Sequence, residues 1–312
     1  MRNVRHDPDL PTVGTAGSTR CRFCGQEARL WVETRDWNRQ LSDQVFRYYH
    51  CSSCRVIFLS PVPPDLGRYY PPDYHAIPAS LTQLQVAAGA ERYKLDLVRR
   101  FHTAGRLLEV GPSAGAFAYL AKNAGFEVDT IEIDPASCRF LRETVGVRAI
   151  ESGRPSEAMR ALPSYAVIAL WHVIEHIPDP WQTLAAAAEH LVPGGVVVIG
   201  APNPHAFQRL VFGQYWTHID APRHLQLLPL DALSHRAESL GLRPRLVTTR
   251  HKGDLGWNQF GWQKSIDNLF RAYRVKGPST MFGWWLTLLA LPIERTGRGG
   301  STYTAVFQKD AP

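Results

Sequence analysis

Apolar and polar positions change their rhythm near Glu91. Leu95, Val98 and Phe101 recur at helical spacing, which predicts an amphipathic helix over 91–103. Short apolar runs then alternate with helical patterns. Strands are predicted at 106–110, 127–133, 147–151, 165–170 and 196–199, with helices at 116–124, 136–144 and 181–190. Residues 202–229 are dense in aromatics and histidine and read as irregular. A helix over 231–239, a strand over 243–249 and a last strand over 302–308 follow, with 250–299 interrupting the alternation as a helical cap insertion. Strands separated by helices predict an α/β fold with a mostly parallel sheet.

Before Glu91 the chain has another texture. Residues 1–18 are polar and read as a disordered leader. All the paired cysteines fall in 19–62. A Pro- and Tyr-rich connector, with Pro63, Pro64, Pro71 and Pro72, resists regular structure. The division expected is therefore 1–18 leader, 19–62 cysteine ribbon, 63–104 connector and helix, and 105–312 main domain.

Composition narrows the function classes. Hydrophobic residues make up 45% of the 312, enough for a packed core. The net charge of +7 comes without a compact basic run interleaved with aromatics, so nucleic acid is not expected as the main partner. The N-terminal region lacks an apolar signal segment, and the longest apolar run, 281–293, falls short of the about 20 residues a spanning helix needs. The expectation is a cytoplasmic protein, in which five cysteines point to metal binding rather than disulfides.

Candidate chemistry starts at the first strand of the alternation. Glu109-Val-Gly111-Pro-Ser113-Ala-Gly115 takes that strand into a small-residue turn that opens a helix. Gly111 and Gly115 let backbone approach a ligand, and the helix start offers free N–H groups. Glu132 ends the next strand, about 20 residues on, where a carboxylate reaches both ribose hydroxyls of a nucleotide. A hydride-transfer enzyme would favour G-x-G-x-x-G, and an acid at Glu109 suits a cationic ligand end instead. Two decoys share these residues. Gly111-Pro-Ser-Ala-Gly115 also reads G-x-S-x-G, but no strands precede it to build a hydrolase. His172-Val-Ile-Glu-His176 reads H-x-x-E-H, but Pro178 cuts the helix that such a metal site needs.

The same stretch resembles motif I of class I S-adenosylmethionine-dependent methyltransferases. Glu109 matches the motif's acid, Gly111 and Gly115 its outer glycines, and Ser113 stands where the middle glycine usually is. The resemblance implies a Rossmann-like seven-stranded sheet with its last strand antiparallel and S-adenosylmethionine as cofactor. It implies a cofactor set of Glu109, Gly111, Ser113, Gly115, Glu132, Asp134, Trp171 and His172. Trp171-His-Val-Ile-Glu-His-Ile-Pro-Asp-Pro180, Pro193-Gly-Gly195 and Asp220-Ala-Pro-Arg-His224 are similar to the branch with an N-terminal zinc ribbon. The likeness covers about residues 19–250 and the last strand. It implies a small-molecule, sugar or cell-envelope glycan acceptor. An RNA- or protein-directed enzyme and a non-catalytic scaffold are the alternatives.

Cys21-Arg-Phe-Cys24 and Cys51-Ser-Ser-Cys54 are two knuckles separated by residues 25–50. Four thiolates close a tetrahedral zinc site with no open position, so Zn²⁺ is expected as structural, with a hairpin over 30–49 between the knuckles. Cys138 is left as a buried small hydrophobe. For a proton-removing group, His172, His176, His218, Asp220 and His224 are the candidates, and Arg223 is a candidate for holding an anionic group. In the insertion, Trp257, Trp262, Trp284 and Trp285 with Arg271, Arg274 and Lys276 suggest peripheral membrane contact through 256–295.

Overall fold

The computed structural model describes residues 17–311, except 72, 73, 75, 276, 278 and 295–298. Most of the leader, Pro72 and Lys276 lie outside the described residues. The strands in chain order are β1 (Ser18–Arg20), β2 (Glu27–Thr34), β3 (Phe46–Cys51), β4 (Ile57–Leu59), β5 (Gly105–Val110) and β6 (Phe126–Glu132). Then follow β7 (Arg148–Glu151), β8 (Tyr165–Trp171), β9 (Leu191–Pro202), β10 (Gln226–Leu227), β11 (Leu242–Thr248) and β12 (Thr302–Lys309).

Seven of them form one sheet in the order β11-β12-β9-β8-β5-β6-β7. β5 pairs in parallel with β6 and β8, and β12 runs antiparallel to both β9 and β11. The period of two divides the strand side chains between two cores. Leu108, Val110, Ile168 and Leu170 face one, with the helices Pro180–His190 and Leu230–Ser239. Leu107, Val167, Ala169 and Trp171 face the other, with the helices Leu81–Ala90, Arg92–Val98 and Ala116–Asn123. Both faces are covered, so these strands read as continuous apolar runs.

β1 to β4 form an antiparallel sheet whose fifth strand, β10, comes from far along the chain: Gln226 pairs with Phe58. One side of this small sheet enters the main core through Ala28, Tyr49 and Phe58. Its other side, Phe46, Tyr48 and Ile57, packs with Trp216, Leu225, Trp262 and Ile266. The insertion is two helices, Lys252–Ala272 and Ser279–Glu294, whose Trp262, Ile266 and Ala290 close that third core.

Local chemistry explains where the elements depart from the sequence pattern. Ser80 caps the helix Leu81–Ala90 by accepting Gln83 N–H, within the stretch expected to be an irregular connector. The helix expected over 136–144 starts at Pro135, with Asp134 accepting Ser137 N–H at 2.8 Å. Its last turn widens to a π-helical Leu141–Val145 and stops at Gly146, φ +71°. The region read as irregular holds a short helix, Phe207–Phe212, besides β10.

Candidate functional site

The order of the sheet reverses between β5 and β8, and ligands gather at such a switch point outside the strands' carboxyl ends. There β5 runs into a turn with three left-handed residues, Gly111 (φ +66°), Ser113 (+51°) and Gly115 (+77°). A Cβ on Gly111 would collide with Val173 Cγ2, so only glycine lets this turn lie against the loop after β8. The helix Ala116–Asn123 begins at Gly115 without a side-chain cap, so its first N–H groups face the turn. Glu132 ties the two loops together. Its carboxylate accepts N–H from Ile133 (2.7 Å), Asp134 (2.9 Å) and Ser113 (2.9 Å). A carboxylate offers about four acceptor positions, which leaves capacity for a ribose hydroxyl.

Glu109 lies on β5, two residues before Gly111. It is 3% exposed, and its Oε2 has no hydrogen-bond partner. Burial pushes its pKa up to about 8, against a smaller downward pull from Lys94. The Lys94 ammonium donates to Glu91 Oε2 at 2.9 Å and sits 5.3 Å over the Trp171 ring. Trp171 is buried with its indole N–H unpaired. A buried acid with an unpaired oxygen, a buried cation and an aromatic ring thus meet beside the glycine turn. That set fits the methionine end of S-adenosylmethionine, with Glu109 for the ammonium and Lys94 for the carboxylate. Lys94 was not among the sequence candidates. The available signal was a lysine within the apolar stripe of the first helix, three residues after a glutamate.

The loop after β8 and the segment 217–224 bring four histidines together. His172 (φ +54°) packs against Trp257 with ring centroids 4.7 Å apart and the planes inclined by 50°. His218 lies 5.9 Å from the same indole. The rings of His176 and His224 meet edge to face at 4.6 Å. Glu175, His176 and His224 bring one ligand-type atom each within 4.8 Å of one another. Burial lowers the pKa of His172, takes His218 to about 4 and His224 to about 3, and raises Glu175 to about 8. The imidazoles of His172, His218 and His224 are therefore held toward their neutral, basic form. Asp220 is placed otherwise. Burial opposes its ionisation, but a two-point ion pair with Arg223 outweighs that and holds it well below the carboxylate range. Arg223, a sequence candidate for anion binding, is fully buried between Asp220 and Asp36.

The knuckles form one cluster. Cys21 and Cys54 sulfurs are 3.5 Å apart, as are those of Cys24 and Cys51, and all four lie within 4.8 Å. A tetrahedral ion with bonds of about 2.3 Å sets sulfurs about 3.8 Å apart, so this cage fits zinc. The two turns repeat each other: Gly25 N–H donates to Cys21 O, and Arg55 N–H to Cys51 O. Gly25 and Arg55 both take positive φ. The Cys54 thiol beside it draws the Cys21 pKa down to about 5. The cage is bound to the histidine wall. Arg22 donates to Leu225 O (2.9 Å) and Gln226 Oε1 (2.6 Å), and Gln226 Nε2 donates to the carbonyls of Ile174 and Ile177.

Comparisons with known proteins place the chain in a family. The profile of the methyltransferase-domain family matches residues 83–247. A ubiquinone biosynthesis O-methyltransferase of Aeromonas salmonicida (strain A449) is 26% identical over 173 residues, 52% of this chain and 72% of that protein. One from Saccharophagus degradans (strain 2-40) is 30% identical over 115 residues, 35% of this chain and 49% of that protein. Among solved structures, a SAM-dependent methyltransferase from Archaeoglobus fulgidus is similar with a TM-score of 0.49 and 17% identity, covering 72% of this chain and 94% of that one. The chain belongs to the methyltransferase-domain family and is a class I S-adenosylmethionine-dependent methyltransferase.

Proposed function

We propose that the protein methylates a hydroxyl of a small-molecule acceptor, a sugar or cell-envelope glycan included, with histidine-assisted deprotonation. The observation that carries this reading is the group of imidazoles His172, His218 and His224, their pKa values lowered by burial, which starts at the residue after Trp171. The relatives named for O-methylation in ubiquinone biosynthesis support the choice of oxygen. When bound, S-adenosylmethionine supplies an electrophilic methyl group on a sulfonium sulfur. Glu109 and Lys94 fix its amino-acid end, and Trp171 closes that end from water. His172, His218 and His224 are placed to accept the acceptor's proton, while Asp220 and Arg223 hold the loop that carries two of them. The test is incubation with isotopically labelled S-adenosylmethionine and a fractionated small-molecule extract of the native organism, followed by mass analysis. One or more small molecules gaining a labelled O-methyl group is expected; label confined to protein or RNA would overturn the reading.

We infer further that Cys21, Cys24, Cys51 and Cys54 hold a structural zinc ion, since four thiolates leave no position for substrate. No helix among the described residues is long and apolar enough to cross a membrane. The helix Ser279–Glu294 nevertheless exposes Phe282, Trp284, Trp285 and Leu289, a face suited to lying in a membrane surface. Wild-type protein should float with vesicles of anionic phospholipid. The pair Trp285→Ser and Leu289→Ser should lower the partition coefficient about a hundredfold or more, since each large apolar side chain contributes about 1.5–3 kcal/mol when buried. Equal flotation of the two proteins would remove the membrane contact from the proposal.

A further inference from the structure

Segment 217–224 supplies His218 and His224, yet the groups that fix it belong largely to the N-terminal sheet. Arg223 Nη2 donates to Asp36 Oδ1 and to Asp220 Oδ1, both at 2.7 Å, and Nε donates to Asp220 Oδ2 at 2.9 Å. Asp36 follows β2 and is 2% exposed. Its own turn presets it, since it accepts N–H from Arg39 (3.2 Å) and Leu41 (3.0 Å). Asn38 Nδ2 donates to Thr217 O (2.8 Å) and Asp220 Oδ1 (2.5 Å). Asn38 Oδ1 accepts from Thr217 Oγ1 (2.9 Å) and from Asn268 Nδ2 (2.8 Å) on the first cap helix. Asp220 takes φ +39°, a strained conformation for this residue that needs such external holding.

The backbone of that pinned segment orients the imidazoles. His176 Nδ1 lies 3.0 Å from Arg223 O, and His224 Nδ1 lies 2.8 Å from His218 O. A carbonyl can only accept, so the His224 ring carries its proton on Nδ1 and presents Nε2 as the basic nitrogen, while His176 Nδ1 is shared between Arg223 O and the Tyr70 hydroxyl at 3.1 Å. Tyr48, on β3, donates to His224 O at 2.7 Å. We propose that Asp36 and Asn38 are positioning residues for methyl transfer: through Arg223 and Asp220 they set the orientation of His176 and His224, and the tautomer of His224, from the N-terminal sheet. Removing Asp36 takes an acceptor from the buried Arg223 Nη2, and removing Asn38 leaves Thr217 O with only the Asp220 N–H at 3.2 Å and Asp220 Oδ1 without its amide donor. Either loss lets 217–224 shift and the histidines rotate.

The activity part rests on the proposed methyl transfer; the geometry does not. Full-length protein labelled with ¹³C at histidine ring carbons is titrated between pH 5 and 8. In the wild type the His224 signal should stay neutral across this range. In Asp36→Ala and in Asn38→Ala it should titrate near the ordinary value of about 6.5. Asp36→Asn keeps an acceptor for Arg223 and should restore part of the wild-type profile. S-adenosylmethionine affinity should stay within about twofold. Methyl incorporation from labelled cofactor into the small-molecule extract should fall about tenfold or more, within the range general-base loss produces. Folded alanine variants with wild-type histidine titration would overturn the proposal. Should they fail to fold, Asn38→Asp sets a second carboxylate against Asp220 with little change of shape, and an unshifted His224 signal there is equally fatal. A wild type that methylates nothing in the extract would defeat the proposed function, while the titration still decides this one.

Discussion

Replacing Cys51 by serine is expected to release zinc and melt the N-terminal sheet while leaving cofactor binding nearly intact. Cys51 ends β3, is fully buried, and shares its cage with Cys24. Small zinc domains draw about 10–16 kcal/mol of folding free energy from the metal, so losing one of four thiolates should cost several kcal/mol. β1 and β4 have three residues each and cannot persist without that staple. The glycine turn and Glu132 lie on the other sheet, so S-adenosylmethionine should still bind. Methyl transfer should not survive, because Arg22 and β10 tie the knuckles to the loop after β8. Metal analysis, thermal melting and calorimetry with cofactor check the three parts. Wild-type protein without about one zinc per chain, or a variant melting as the wild type does, would reject the assignment.

How far the sequence could be read depended on how local each cause was. The parallel strands were legible because both their faces are buried, which produces apolar runs such as Ala166–Leu170 without any need of distant partners. The glycine turn was legible for the same reason: left-handed backbone at Gly111 and Gly115 selects its residues locally. The helix Leu81–Ala90 was not, since Ala87, Ala88, Gly89 and Ala90 give no polar contrast and packing on the helix Ala116–Asn123 decides it. β10 was invisible: two residues, Gln226 and Leu227, become a strand only because β4 lies beside them. The same holds within the site. Glu109 and Glu132 follow from spacing along one chain segment. Asp220 and Arg223 are three residues apart, but that Arg223 also faces Asp36 depends on a contact with the N-terminal sheet that no spacing encodes.

Glu109 should make cofactor affinity depend steeply on pH, and Glu109→Gln should remove that dependence along with most of the affinity. In the free protein, burial raises this acid to about 8, so it is protonated at pH 7. The sign follows from linkage. A folded pKa above the unfolded value of about 4.3 means that folding favours the protonated form. This group's contribution to stability is therefore complete below about pH 4.3 and is lost as pH climbs toward 8. A bound ammonium reverses the preference, because the ionised carboxylate then gains a charge-assisted hydrogen bond. Binding must expel the proton, so between pH 6 and 7 affinity should rise about tenfold, one decade per pH unit below the pKa. Calorimetry at pH 7 in buffers of differing ionisation enthalpy should find about one proton released per cofactor bound. Glutamine is near-isosteric but neutral; losing a charged hydrogen bond of about 1.5–3 kcal/mol weakens binding about tenfold to a hundredfold. With no proton left to release, the slope between pH 6 and 7 should flatten. A wild-type affinity that does not change from pH 6 to 7 would show that the methionine ammonium binds elsewhere than at Glu109.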